Sequence, residues 1–138
     1  MEDKLELVKE NEILCLRNKE DGKILMRHAP LGTSINEFKR IKADCNIVNE
    51  GVTGFPKDTE GSQANIYCLD DKFNIKWKVT PPREKDCFPN SILWNKEMSE
   101  GKDLIQDNPN TFTCSSWRCV TITVDYETGK TLKKELTK

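Results

Sequence analysis

The side chains in this sequence that could carry out a reaction do not form a recognisable catalytic motif. His28 is the only histidine. A Cys–His or Ser–His pair would need it, because no other unperturbed side chain titrates near neutral pH. Its neighbours Arg27, Ala29 and Pro30 are typical of a half-exposed strand end. The sequence also contains no glycine-rich phosphate loop and no nucleophile elbow. We therefore expect no enzymatic activity and no catalytic residue, and we predict no cofactor.

The cysteines and acidic residues do not form a metal-binding pattern. The six cysteines are scattered: Cys15, Cys45, Cys68, Cys87, Cys114 and Cys119. A zinc site needs four clustered ligands, whereas only Cys114 and Cys119 are close in sequence. The segment Asp70–Asn74 resembles the start of a calcium loop, but Lys72 puts a positive charge where the third ligand should be. We predict no metal site, and we interpret the cysteines as reduced, mostly buried thiols.

The aromatic residues suggest a binding surface instead. Three tryptophans fall on or beside predicted strands: Trp77, Trp94 and Trp117. Most tryptophans in such positions pack in a core, but Trp117 has two serines before it and Arg118 after it. Tryptophan and arginine are enriched at the energetic hot spots of protein interfaces. Phe88, which follows a pair of prolines, is expected to form a second exposed edge. We therefore predict a partner-binding surface that contains Trp117, Arg118 and Phe88.

Size and charge restrict the classes of function. The chain has 138 residues, which predicts a single domain spanning 1–138. It carries 22 basic and 23 acidic residues, so no electrostatic footprint for nucleic acid is present. No apolar stretch is long enough to span a bilayer. The first residues are acidic and lack the apolar segment of a signal peptide. We therefore expect a cytoplasmic protein that contacts neither nucleic acid nor membrane.

A strand–turn–strand pattern occurs three times along the chain. The equivalent positions Leu16, Leu69 and Val124 are almost evenly spaced. In each copy an alternating or apolar stretch is followed by a polar turn and a second short strand, which indicates a repeat-built β architecture. The three copies cover residues 12–25, 65–77 and 121–132.

One helix is also predicted. Ser34 and Glu37 have the spacing of a capping box, and Ile35, Phe38 and Ile41 follow at helical spacing. The pattern predicts a helix over residues 35–44, with Phe38 and Ile41 against the sheet. With about eight strands elsewhere, we expect a mainly β (α+β) fold. In it, an antiparallel sheet built from repeated hairpins carries one helix packed on it, and residues 49–64 and 96–110 form long loops.

The turn Asp125-Tyr126-Glu127-Thr128-Gly129-Lys130 resembles the Asp-x-x-Thr-Gly-Lys turn of quinoprotein-type β-propeller repeats. Ile66–Asp70 with Trp77 is similar to the same unit, although Asn74 stands where the glycine would be. The segment 65–130 also resembles small uncharacterised bacterial proteins with a single blade-like sheet. The resemblance implies blade-like hairpins, and since a propeller needs about four or more blades, it does not imply a closed propeller here.

These observations favour a small protein-binding module, which would bind a protein partner of unknown identity. An immunity-type protein that blocks a bacterial toxin domain is one such module, because proteins of that class are small, single-domain and free of catalytic motifs. Two other interpretations stay open. A small-molecule-binding protein, or an enzyme with an unrecognised site, would need a pocket lined by aromatic and convergent polar groups. A structural homodimer would pair its open sheet edges across a two-fold axis.

Overall fold

The computed structural model of this protein describes residues 4–94 and 110–136. In these residues the chain forms three antiparallel sheets. The first sheet contains β1 (Leu5–Glu10), β2 (Ile13–Asn18) and β3 (Ile24–His28). The second contains β4 (Ile35–Lys42), β5 (Cys45–Glu50), β6 (Ile66–Leu69) and β7 (Ile75–Lys78). The third contains β8 (Leu93–Trp94), β9 (Thr111–Ser115), β10 (Val120–Asp125) and β11 (Thr131–Leu136).

Each sheet is a meander in which neighbouring strands are also consecutive in sequence. The chain therefore completes one sheet before it begins the next, and no strand crosses between sheets. Short polar turns join most of the paired strands and favour this local pairing, whereas β5 and β6 pair across the longer connection 51–65. No ring of blades closes within the described residues.

The three predicted hairpins are present, as β2–β3, β6–β7 and β10–β11. Each is the last hairpin of its sheet, and each contains a shift in strand register near the turn. Their turns close in the same way, through the backbone amides of Asn18, Asp70 and Asp125. These donate to carbonyl oxygens four or five residues further on, at 2.8 to 3.0 Å. The sequence repeat is thus a structural repeat of one bulged hairpin.

Each of these turns contains one residue with positive φ, a backbone conformation that favours glycine. Gly22 and Gly129 have φ of 73° and 75°. In the middle hairpin the equivalent position is taken by Phe73, with φ of 62°, and not by Asn74. A bulky residue with positive φ is uncommon. The Asp70 side chain supports this turn by accepting hydrogen bonds from the amides of Lys72 and Asn74.

The prediction of a helix over residues 35–44 is wrong, and with it the α+β class, because this segment is strand β4 and the described residues contain no helix. Register shifts in β4, one of them between Ile35 and Glu37, explain the misleading pattern. A bulge adds one residue, so Ile35 and Phe38 contact the same core cluster although they are three positions apart. Glu37 does not cap a helix either. Its carboxylate accepts hydrogen bonds from the backbone amide of Ile92 and the indole of Trp94.

The second sheet lies between the other two, because its two faces contribute to different core clusters. One face packs on the third sheet, through residues that include Ile47, Cys68, Trp77, Phe112 and Ile122. The opposite face packs on the first sheet, through Leu14, Ile35, Val48, Tyr67 and Leu69. The second sheet therefore has few exposed apolar side chains, and this arrangement supplies most of the buried apolar surface.

Other sequence expectations can be placed on this fold. Residues 51–65 connect β5 to β6 without a strand, as predicted, whereas the predicted connection 96–110 lies almost entirely outside the described residues. Five of the six free cysteines are buried and Cys119 is exposed. Across residues 4–94 and 110–136, the structure contains no helix of the length and hydrophobicity that a membrane crossing requires.

Candidate functional site

The structure separates the three residues that the sequence predicts for partner binding. Trp117 is 69% exposed, the largest exposed aromatic side chain among the described residues. Arg118 is also exposed and follows it in the turn between β9 and β10. Phe88 is only 1% exposed and belongs to the core between the second and third sheets. Phe88 therefore offers no surface to a partner. It follows Cys87, whose carbonyl accepts a hydrogen bond from the Trp117 amide.

The turn that carries Trp117 is fixed by hydrogen bonds. The Ser116 amide donates to the Val120 carbonyl at 2.8 Å, and the Cys119 amide donates to the Ser116 carbonyl at 3.1 Å. Cys119 has φ of 63°, which reverses the chain so that β10 can begin at Val120. The amide of Trp117 donates outside the turn, to the Cys87 carbonyl at 2.8 Å. The Trp117 backbone is therefore held on both sides.

A buried carboxylate joins this turn to the neighbouring segment. Asp86 is 1% exposed, and its Oδ1 accepts hydrogen bonds from the amides of Arg118 at 2.9 Å and Cys87 at 3.0 Å. Its Oδ2 is buried and makes no hydrogen bond within the described part of the chain. Asp86 lies in a polar segment without periodicity, so nothing in the sequence marked it as the residue that positions Trp117 and Arg118.

Gln63 connects the loop after β5 to the segment that contains Asp86 and Cys87. Gln63 is buried, and its side-chain amide donates to the carbonyls of Val52 and Phe55, each at 2.8 Å. Its backbone amide donates to the Asp86 carbonyl at 2.8 Å. Gln63 therefore ties the loop after β5 to the segment that holds Trp117. The predicted long loop is ordered by buried polar contacts rather than by strand pairing.

A groove of about 540 Å³ runs along these loops beside Trp117. We call it the Trp117 groove, and its lining includes Val52, Lys57, Gln63, Lys85, Pro89 and Trp117. Lys57 and Lys85 are exposed, and no aspartate or glutamate belongs to the described lining. An indole, a proline ring and a valine provide apolar contact area, while the two lysines provide positive charge. The sequence prediction included Trp117 but missed both lysines, because they lie far from it in sequence.

A second cleft, of about 570 Å³, lies on the other side of Lys57. Its lining includes Leu31, Phe55, Pro56, Ala64, Lys78 and Val79. Phe55 is the one aromatic residue in its described lining and is 6% exposed. Its described lining also includes the charged side chains Lys57, Asp58 and Lys78, but it contains no histidine, no cysteine and no second aromatic residue.

His28 belongs to a hydrogen-bond network elsewhere in the molecule. Its Nε2 lies 2.6 Å from the hydroxyl of Tyr67, which in turn donates to the Glu50 carboxylate. Glu50, only 1% exposed, also accepts from the amides of Leu31, Gly32 and Thr33 at 2.7 to 3.1 Å. The network joins the first sheet to the second. It fixes the chain after β3, and its three side chains come from three different strands.

Burial and charge set the protonation of this network. Burial raises the pKa of Tyr67 far above its usual range, and the hydrogen bond to Glu50 adds to the increase. Burial lowers the pKa of His28, and the negative charge of Glu50 opposes this only in part. His28 is therefore a neutral, half-buried structural residue at neutral pH. No nucleophilic side chain is among the hydrogen-bond partners that these three residues have in the described structure.

Two buried thiols form a further contact. The Sγ atoms of Cys45 and Cys68 are 3.6 Å apart in the core between the second and third sheets. The hydrogen bond to Cys45, together with burial, raises the pKa of Cys68. The same hydrogen bond lowers the pKa of Cys45, although burial opposes the decrease. Both thiols are fully buried.

Comparison with known proteins adds no relative to this description. No family model matches the sequence, and a search of curated proteins finds no match to it.

Proposed function

We propose that this chain is a protein-binding module and that its partner docks on the turn that carries Trp117 and Arg118. This proposal includes the immunity-type function that the sequence predicts. The observation that carries it is the 69% exposure of Trp117. The other two tryptophans, Trp77 and Trp94, are each 9% exposed and pack against Phe112.

The energetics support binding through this residue. Tryptophan is a residue type that is buried on average. An indole exposed to water can therefore contribute a large apolar contact area when a partner covers it. Scattered exposed aliphatic side chains are common on any surface. An exposed tryptophan beside an arginine is less common, and both types dominate the energetic centres of protein interfaces.

The rigidity of the turn supports the same proposal. The amides of Trp117 and Arg118 are both bound to the 86–87 segment. A side chain on a fixed backbone loses little conformational freedom when a partner covers it, so more of the contact energy contributes to affinity. By contrast, the exposed Leu132 and Leu136 lie on the terminal strand β11, where adjacent charged side chains oppose edge-to-edge pairing.

The proposal is tested by recovering the tagged full chain from a lysate of the organism that encodes it and identifying co-purifying proteins by mass spectrometry. We expect one stoichiometric protein that is retained by the native chain and lost with Trp117→Ala. Leu132→Ala, which removes an exposed apolar side chain from β11, is the matched control and should retain that protein. If the two variants retain the same proteins, or if the native chain elutes alone, the proposal is wrong.

A further inference from the structure

We infer that the Trp117 groove binds an acidic segment of the partner protein, with carboxylates at Lys57 and Lys85 and an apolar side chain on the Trp117 indole. The inference rests on the proposed function and adds the chemistry of the partner to it. Three features of the groove support it: its charge, the placement of its lysines and its apolar wall.

The positive charge of the groove is not neutralised within the chain. Lys57 and Lys85 line the groove and are exposed, and Arg118 is exposed beside Trp117 outside the lining. None of the three makes an ion pair with another described residue. The cations near the junction of the second and third sheets differ, because Lys42 pairs with Glu127 and Lys76 with Asp44. The described lining of the groove contains two lysines and no carboxylate, so the groove itself is positively charged. Such a charge favours a partner surface of opposite sign.

The Lys85 side chain is positioned by its neighbours. Its amide donates to the Glu60 carbonyl at 3.1 Å, and its own φ is 54°. Gly61 has φ of 78°, and a Cβ at that position would come within 3.1 Å of the Lys85 Cγ. The absence of a side chain at Gly61 therefore lets the Lys85 stem lie against the loop.

The apolar residues of the groove favour an occupant that has an apolar side chain as well as negative charge. Val52, Pro89 and Trp117 line the same groove as the two lysines. A purely acidic chain would leave these groups exposed to water, and a purely apolar chain would bury the ammonium groups without partners, which is costly. A segment that places carboxylates beside one apolar or aromatic residue would cover the apolar groups and also pair with the ammonium groups.

A nucleic acid is a weaker candidate for the same groove. Single-stranded nucleic acids bind to several successive stacking side chains along a continuous basic track. The groove has one exposed aromatic residue and two lysines in its described lining. With a net charge of −1, the chain as a whole does not attract a polyanion. We therefore include nucleic acid only as an outcome of the test.

The experiment is a selection of short random peptides displayed on phage against the immobilised full chain, with the Trp117→Ala chain used to remove peptides that bind elsewhere. We expect the selected peptides to be enriched in Asp and Glu beside one apolar residue. The strongest of them is then synthesised, and its affinity is measured by calorimetry at two salt concentrations. Loss of the indole should weaken its binding by about 30-fold or more, the size of a hot-spot effect.

The charge variants separate the inference from the proposed function. Lys57→Glu with Lys85→Glu should weaken binding of that peptide by about 10-fold and abolish or reverse its weakening by salt, because like charges then face each other and salt screens their repulsion. Lys19→Glu with Lys134→Glu makes the same change in net charge elsewhere on the surface and should leave binding unchanged. All variants are first compared by thermal unfolding to confirm that they fold.

Several results would overturn the inference. Peptides that depend on Trp117 but are not acidic, or that bind the Lys57 and Lys85 variant normally, would show that the partner chemistry is wrong while the docking site is right. Binding of oligothymidylate that depends on Trp117 would replace the acidic segment by a nucleic acid. A selection without any Trp117-dependent peptide would also count against the inference, whereas the proposed function is judged separately by the natural partner recovered from the lysate.

Discussion

The Nε2 atom of His28 lies 2.6 Å from the hydroxyl oxygen of Tyr67. The Tyr67 hydroxyl has a single hydrogen, and it donates that hydrogen to the Glu50 carboxylate. Its oxygen must therefore accept from His28, which assigns the neutral tautomer with hydrogen on Nε2. Protonation at Nδ1 would leave this hydrogen bond intact, so the effect of pH on His28 comes from burial of the added charge.

The lowered pKa of His28 predicts how the free energy of unfolding depends on pH. The pKa of His28 is lower in the folded protein than its ordinary value, because burial disfavours the charged ring. Between the two pKa values the unfolded chain binds more protons than the folded one, so stability rises with pH across that interval and falls as the solution is acidified. Urea unfolding at several values between about pH 5 and about pH 8 measures this dependence.

The control for that measurement is His28→Gln. The glutamine amide can still donate to Tyr67, but it does not titrate. We expect the free energy of unfolding of this variant to vary less with pH than that of the native chain. Equal pH dependence in the two proteins would mean that another group is responsible.

A second prediction concerns the Glu50 carboxylate. Glu50→Gln replaces one acceptor oxygen by an amide that must face backbone N–H donors of residues 31–33. Leaving a buried donor without a partner should lower the free energy of unfolding by about 1 to 3 kcal/mol. The same change at the exposed Glu20, whose ion pair with Lys4 is 3.7 Å long, should cost less than about 0.5 kcal/mol. Comparable losses for the two variants, measured by urea unfolding, would contradict the structural importance of Glu50.

The parts of the fold that the sequence predicted are those that depend on local chemistry. Turn residues such as Gly22 and Gly129 mark the repeated hairpins, because glycine reaches positive φ without steric cost. The contacts of Glu37 depend on strands that are distant in sequence, so its place in an apparent capping box predicted a helix that does not form. The partners of Asp86 and Glu50 are equally distant, and for this reason the sequence could not reveal either network.

Phe88 and Trp117 provide a direct test of the separation between core and surface. Phe88→Ala removes a side chain that is 1% exposed, and we expect it to lower the free energy of unfolding by about 3 to 5 kcal/mol. Trp117→Ala removes a side chain that is 69% exposed and should change the free energy of unfolding by less than about 0.5 kcal/mol. Chemical unfolding of the two variants measures both values. A large loss for Trp117→Ala would show that the indole packs on the chain and would remove the basis for the proposed function.

Asp86 offers a prediction in which two substitutions at one site should differ. Asp86→Ala removes the acceptor for the amides of Cys87 and Arg118 and should cost about 1 to 3 kcal/mol. Asp86→Asn keeps an acceptor oxygen for both amides but puts an NH2 group in the place of Oδ2, which has no described partner. We expect Asp86→Asn to lower the free energy of unfolding by less than Asp86→Ala does, because the amide oxygen still accepts from both backbone amides. Thermal unfolding measures the comparison, and an equal loss for both variants would show that the charge itself holds the turn.

The last prediction compares two glycines that occupy the same place in different copies of the repeat. Both have positive φ, but a Cβ at Gly22 would meet no atom within 4 Å, whereas one at Gly129 would lie 2.4 Å from Trp77. Trp77 cannot move aside easily, because its indole donates to the Tyr126 carbonyl at 3.0 Å and stacks on Phe112. Gly22→Ala should therefore lower the free energy of unfolding by about 1 kcal/mol, from backbone strain alone.

Gly129→Ala adds steric overlap to the same strain and should cost about 2 to 4 kcal/mol. It should also change the near-ultraviolet circular dichroism, because Trp77 must shift in its packed position, whereas Gly22→Ala should leave this signal unchanged. The repeat therefore has one copy in which glycine serves the turn only, and another in which it also admits an aromatic side chain from the preceding sheet. Equal losses of stability in the two variants would show that the turn of β10–β11 can move away from Trp77, and that this contact does not hold the second and third sheets together.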